Sequence, residues 1–201
     1  MLKLRLIRHP KPQVAAGICY GSTDLLAEDE ALAAQLQHCL ALEPPEILLS
    51  SPLVRCAALS HSLAHRPDSA QQAWPMPIIH AHLAEMHFGE WEMRPWAEIP
   101  RDQINAWVAD ISGYAPPGGE SVRAVAERAS QAIAAALSPI LVSHTERVTV
   151  ICHSGVMQGL SHLWSGKLWS EFKPLNLAYG QVMEFALRLE QITPPEPLPH
   201  L

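Results

Sequence analysis

Three short stretches put chemistry-bearing side chains where a strand would end. LIRHPKP (6–12) closes an apolar-alternating run on Arg8 and His9. SSPLVRC (50–56) carries Arg55 into what reads as the first turn of a helix, and VICHSGVM (150–157) ends a β-branched run on His153, Ser154 and Gly155. In open α/β sheets, ligands sit outside the carboxyl ends of the strands. Helix starts add free N–H groups and a positive dipole end, both of which favour an anion. Two arginines, two histidines and helix N-termini converging on one point would make a phosphate pocket that needs no metal. Among 11 histidines any single one is more often a surface or capping group than a catalyst. An arginine at a helix start opposes the dipole unless an anion offsets it. The coincidence of three strand ends is what carries the inference.

The elements that must position these residues follow from periodicity. Leu2, Leu4 and Leu6 alternate with Lys3 and Arg5, the period of a strand. Residues 25–42 carry apolar side chains at helical spacing and stop before Pro44 and Pro45. A strand then hands over to a helix at Ser50 and Ser51, with Ser51 placed as cap and Pro52 at the first helical position. MPIIHAHL (76–83) predicts a further strand, residues 121–141 a long helix opened by the PPGGES loop, residues 147–164 a strand running into a helix, and residues 180–192 a last strand. TPPEPLPH (193–200) reads as a proline-rich tail without regular structure. The alternation implies βαβ units, hence a three-layer α/β/α sandwich around a mostly parallel sheet. One domain is expected over residues 1–193, with residues 194–201 as tail.

Composition narrows the function classes. With 201 residues, 48% hydrophobic and 17% charged, the chain reads as a soluble globular protein. A net charge of −6 with scattered basic residues argues against nucleic acid as partner, and the lack of a long apolar run argues against a membrane. Cys19, Cys39, Cys56 and Cys152 show no C-x-x-C spacing and read as free thiols of a reducing compartment. MLKLRLI lacks the apolar core of a secretory signal, so a cytoplasmic location is expected.

LIRHPKP, SSPLVRC, LAEMHFGEWE (83–92), PPGGES (116–121) and VICHSGVM together resemble, in order and spacing, the histidine phosphatase superfamily, the phosphoglycerate-mutase-like group, over residues 2 to 160. The short chain, FGEWE and PPGGES are most similar to its alpha-ribazole phosphatase branch, which removes phosphate from a cobalamin precursor. The resemblance implies a phosphoglycerate-mutase-like fold, with His9 as the nucleophile that takes the phosphoryl group. It implies that Arg8, Arg55 and His153 hold that group and that Glu85 is the proton donor. A neutral imidazole can attack phosphorus, and a phosphohistidine splits one hard hydrolysis into two easier steps. Preorganised donors stabilise charge on the equatorial oxygens without Mg²⁺. Glu85, flanked by Met86 and Phe88, could stay protonated long enough to serve the departing alkoxide. Glu90 and Glu92 are nearby substitutes, and a solvated loop carboxylate is the plain alternative.

Two departures stand out. Pro10 takes the place of the usual glycine, which removes an N–H and pushes His9 toward extended backbone. Ser154 takes the place of a second glycine, and its hydroxyl is a further candidate phosphate donor. Pro12 and Ala15 stand where a mutase's Glu-Thr and Asn are usual, which weakens a mutase reading more than a phosphatase one.

Around this site, CYGSTDL (19–25) offers a substrate rim in which Gly21 permits a tight turn and Tyr20 presents a ring. The plain reading is a surface loop whose Asp24 caps the next helix. Trp91, Trp96 and Trp107 form either an aromatic wall or core. A rival metal reading takes His80 and His82 on one strand face, with Glu85 and His87, although no matching Asp/His cluster appears elsewhere. No cofactor or metal is expected, and the expected partner is a small phosphorylated substrate. Broad-specificity phosphatase, phosphoglycerate mutase and a catalytically weak phosphate-binding protein remain alternatives. The Ala-rich face of the helix from Ser121 to Leu137 could pack in the core or form a homodimer contact.

Overall fold

The computed structural model describes residues 1–65, 74–138 and 145–192. The Leu2, Leu4, Leu6 alternation becomes β1 (Leu2–Arg8), with those three side chains buried. The chain continues through α1 (Asp29–Leu40), β2 (Ile47–Ser50), α2 (Val54–Ala64), β3 (Ile78–Ile79) and α3 (Arg101–Ala109). It ends with α4 (Val122–Leu137), β4 (Arg147–Cys152), α5 (Ser154–Trp164), β5 (Val182–Leu187) and α6 (Leu189–Ile192). The strands lie in the order β3-β2-β4-β1-β5, and every neighbouring pair is parallel except β1 with β5. The proline-rich tail and the end of the predicted 121–141 helix lie outside the described residues.

Both faces of the sheet are covered. Leu4, Leu6, Leu49 and Val150 meet Val125, Ala129 and Ile133 of α4 and Val156 and Leu160 of α5. On the opposite face Ile7, Leu48 and Ile151 meet Cys39 of α1 and Cys56, Leu59 and Leu63 of α2. Each large aliphatic buried this way contributes roughly 1.5–3 kcal/mol. The Ala-rich face of α4 is spent inside this core: a Cβ on Gly159 of α5 would sit 2.9 Å from the Ala126 Cβ, so the two helices touch almost backbone to backbone. All four cysteines are buried free thiols. Among the described residues no helix is long and apolar enough to cross a membrane.

Several local expectations change, and the last strand predicted over 180–192 stops at Leu187, with α6 starting two residues on. The predicted 76–83 strand contracts to Ile78–Ile79, because the chain turns at His80 into a 3-10 turn (Ala81–Leu83) that drops Leu83 into the core. Helix α2 begins at Val54 rather than at Pro52, and its first N–H donates to Asp24 Oδ1 at 2.7 Å. Asp24 therefore caps α2 from 30 residues away, not the α1 helix that follows it, whose N-cap Glu28 makes no side-chain capping bond. Helix α3, which the periodicity did not predict, buries no residue completely; Ile104 and Trp107 pack it on an aromatic cluster. That cluster decides the tryptophan question in favour of core. Trp91 is buried and donates Nε1–H to Gln103 Oε1 at 2.7 Å, and Trp96 and Trp107 stack at 5.6 Å.

Candidate active site

Register brings the strand ends together. Arg8 pairs with Cys152 and Ser50 with Ile151, so the chain leaves β1, β4 and β2 side by side. The first residues beyond are tied across: His9 N–H donates to Cys152 O and Ser51 N–H to Ile151 O, both at 3.0 Å. His153 then serves as N-cap of α5, and Arg55 enters one residue into α2. The centroids of the His9 and His153 rings are 5.0 Å apart.

His9 is 1% exposed, and its Nδ1 lies 2.6 Å from the Pro10 carbonyl oxygen. A carbonyl only accepts, so Nδ1 carries the hydrogen and Nε2 keeps a free lone pair. Pro10 thus forfeits an N–H but supplies the carbonyl that orients the ring. Burial, then the Arg55 charge, pull the His9 pKa down to about 3, against the opposing pull of the Pro10 contact. Burial and the neighbouring His9 hold His153 well below its usual range too. His153 Nε2 is 2.7 Å from Ser51 Oγ, which also accepts the Leu53 N–H at 3.3 Å just before α2.

Both guanidinium groups are held by carbonyls. Arg55, 0% exposed, donates to Thr23 O at 2.8 Å and Gly21 O at 2.7 Å, and Arg8 donates to Leu177 O. The Nε of each is buried without a partner, and among the described ion pairs neither arginine meets a carboxylate. Two cations beside two neutral imidazoles leave a buried positive charge, costly unless an anion fills it.

Glu85 brings a buried carboxyl group against the start of α5. It is 9% exposed; Oε1 accepts the Met86 N–H at 2.9 Å and Oε2 the Gly155 N–H at 3.1 Å. Burial raises its pKa, while those two backbone bonds and the arginines work against the rise. A Cβ on Gly155 would lie 2.5 Å from Glu85 Oε1, so glycine there is what lets the carboxyl approach the start of α5. Arg128 fixes the Glu85 segment by donating to the carbonyls of His82, Ala84 and Glu85 while pairing with both oxygens of Glu120. Glu120 belongs to the PPGGES motif; Arg128 gave no signal in the sequence beyond its place on α4.

Glu92 is no substitute acid. Its Oε1 accepts from Ser22 N–H at 2.8 Å and Phe88 N–H at 2.9 Å, and its Oε2 from Thr23 N–H at 3.0 Å and from the Thr23 hydroxyl. It therefore clamps the loop whose carbonyls hold Arg55. Gly21 is required there, since φ is +33° and a Cβ would lie 2.4 Å from Glu92 Oε1. Tyr20 meets Tyr179, with the two hydroxyls 3.0 Å apart. Ser154 Oγ accepts from Gln158 Nε2 at 3.0 Å, which leaves its hydrogen free to donate. The metal reading loses its ligands: His80 Nδ1 accepts the His82 N–H at 3.2 Å off the strand, and Glu85 turns inward. Among the described residues no three His, Cys, Asp or Glu side chains gather as a metal would need.

The two buried imidazoles set an acid response. The unfolded chain binds protons near the ordinary histidine value of 6.5, whereas folded His9 waits until about 3. In between the unfolded state holds more protons, so stability is lost as pH falls, by about 1.4 kcal/mol per histidine per pH unit. Glu85 acts in the opposite sense, since its raised value withdraws stability as pH rises above the ordinary 4.5. In phosphate-free buffer the melting temperature should drop from about pH 6.5 to about pH 4.5, and His9→Ala should drop less steeply. Parallel slopes for the two proteins would remove His9 from this account.

A family model described as the histidine phosphatase superfamily, branch 1, matches residues 4–193. The adenosylcobalamin/alpha-ribazole phosphatase of Escherichia coli (strain K12) is 28% identical over 162 residues, 78% of this chain and 75% of that one. The crystal structure of the alpha-ribazole phosphatase from Shigella flexneri superposes with a TM-score of 0.72 at 26% identity, covering 93% of this chain and 91% of the other. The mycobacterial glucosyl-3-phosphoglycerate phosphatase shares the fold, with a TM-score of 0.76 at 20% identity over 91% of this chain and 89% of that chain.

Proposed function

From the premise that the chain belongs to the histidine phosphatase superfamily, branch 1, and is a phosphatase, we propose that it is a phosphomonoesterase acting through a phosphohistidine, without a metal cofactor, on alpha-ribazole phosphate in cobalamin synthesis. The observation that carries the mechanism is a buried neutral imidazole with a free Nε2 lone pair, beside the buried guanidinium group of Arg55 and the half-buried one of Arg8, neither of which meets a carboxylate among the described ion pairs. The Nε2 lone pair attacks phosphorus as the ester P–O bond breaks. Arg8, Arg55 and His153 donate to the equatorial oxygens, with Ser154 as a further donor. Glu85 gives its proton to the departing alkoxide and, as carboxylate, later takes one from the water that attacks the phosphohistidine. Inorganic phosphate leaves, and both groups return to their starting states.

The substrate rests on the kinship with alpha-ribazole phosphatases at 26–28% identity. A broad-specificity reading draws on a different relative: the mannitol-1-phosphatase of Eimeria tenella is 33% identical over 111 residues, 48% of this chain and 34% of that one. The test is phosphate release, with EDTA present, from alpha-ribazole phosphate and from a panel of sugar phosphates. Preference for the cobalamin precursor by about a hundredfold supports the specific reading, and comparable kcat/KM across the panel replaces it with the broad one. Abolition of all turnover by EDTA would overturn the metal-independent step.

A further inference from the structure

We propose that the groove between α1 and Tyr179 is the seat of the leaving group, and that it takes a planar ring carried beside a hydroxyl or N–H donor. The inference rests on the phosphatase reading and deepens it. The groove encloses about 420 Å³ and is lined chiefly by Pro10, Lys11, Ala31, Ala34, Gln35 and Tyr179. That volume falls in the range of small-ligand pockets. It starts where the phosphoryl site ends, since Pro10 follows His9 and the Tyr179 ring lies 5.7 Å from the His9 ring.

Gln35 is the first sign of a ligand. It is 6% exposed, and its carboxamide lies 2.6 Å from the Arg8 carbonyl oxygen. Because that oxygen only accepts, the atom beside it is Nε2, and Oε1 is the atom left buried with no donor. Gly180 stands next to it, and a Cβ there would sit 3.5 Å from Oε1. Gln35 lines the groove, so this orphaned acceptor lies in its wall and calls for a donor brought by a ligand.

Tyr179 is the second sign. Arg8 Cζ lies 4.0 Å from its ring centroid, yet the residue is 40% exposed, so an aromatic surface is left to solvent. Its hydroxyl meets that of Tyr20, whose ring is 5.6 Å from Arg55 Cζ. The two tyrosines thus stand over the two guanidinium groups, beside a His9 that is 1% exposed. Tyr179 is then a wall between phosphoryl site and groove, and the small side chains of Ala31 and Ala34 leave room along it for a flat ring. A plain polyol would satisfy Gln35 but leave the aromatic face unused.

The test compares kcat/KM for alpha-ribazole 5′-phosphate, adenosine 5′-monophosphate and ribose 5-phosphate, the last of which lacks the ring. In the wild type at least one ring-bearing ester should exceed ribose 5-phosphate by about tenfold or more. Ala34→Phe, which fills the groove, and Tyr179→Leu, which removes the wall, should each bring that ratio to within about twofold of one. The ratio is internal to each protein, so a loss of folded enzyme cancels. A wild-type ratio near one, or a preference that survives both substitutions, overturns the proposal. A protein that hydrolyses none of the three, nor para-nitrophenyl phosphate, fails at the phosphatase reading instead. Dissociation constants for adenosine 5′-monophosphate and ribose 5-phosphate then measure the same preference, and equal values overturn the groove assignment by themselves.

Discussion

His9→Ala should lower kcat on every phosphate ester by a factor on the order of 10⁴ or more, the scale on which loss of a nucleophile is felt. The reason is local. His9 holds the one ring in the site whose Nδ1 is engaged by a backbone carbonyl at 2.6 Å, so its Nε2 is fixed as a lone pair at any pH above about 3. His153 is also neutral, but its Nε2 is taken by Ser51. The anion pocket is built by Arg8 and Arg55, whose carbonyl partners lie on other segments, so it should outlive the substitution. Vanadate binding measured alongside turnover decides what was lost. A retained affinity with absent turnover assigns the chemistry to His9, whereas residual turnover within about tenfold of wild type would sink the phosphohistidine.

Glu85→Gln should divide substrates by leaving group. For an alkyl ester the expected fall in kcat/KM is about 10²–10³, within the range general acids supply, and for para-nitrophenyl phosphate less than about tenfold, because a nitrophenolate departs without a proton. The substitution also puts an amide N–H₂ against a backbone N–H that the carboxyl now satisfies, from Met86 or Gly155. That unmet donor costs about 1–3 kcal/mol of stability, a loss that lowers both substrates alike. The split between the two esters therefore isolates the acid role. Equal losses on both would show that Glu85 only holds the start of α5.

Much of this site was legible in the chain because its parts sit at strand ends, and strand ends are set by local pattern. Alternating Leu2, Leu4 and Leu6 fix β1, so Arg8 and His9 must leave its carboxyl end. The β-branched run before His153 does the same for β4, and parallel pairing then makes the ends coincide through the Arg8–Cys152 register. Histidines and arginines at those points make an anion pocket by type alone, whereas the phosphohistidine and the part of Glu85 are what the family resemblance implies; the βαβ alternation specifies a sheet covered on both faces.

What the tertiary structure decided is the pairing of short polar groups across long separations. Ser51 and Asp24 each looked like the cap of the helix next to them. In the fold Ser51 shares its hydroxyl between His153 and the Leu53 N–H, and Asp24 caps α2 from the far loop. Glu92 reads as a spare acid until Ser22, Thr23 and Phe88 are found to saturate it, and Tyr179 and Gln35 carry no motif at all. A hydrogen bond is satisfied by whatever donor or acceptor the fold brings within about 3 Å, and only folding sets that neighbourhood. Hydrophobic period, by contrast, is a property of the sequence itself. It fixes where strands and helices run, and so where the candidate catalytic side chains stand, while the partners that hold them depend on which distant loops the packed sheet brings alongside.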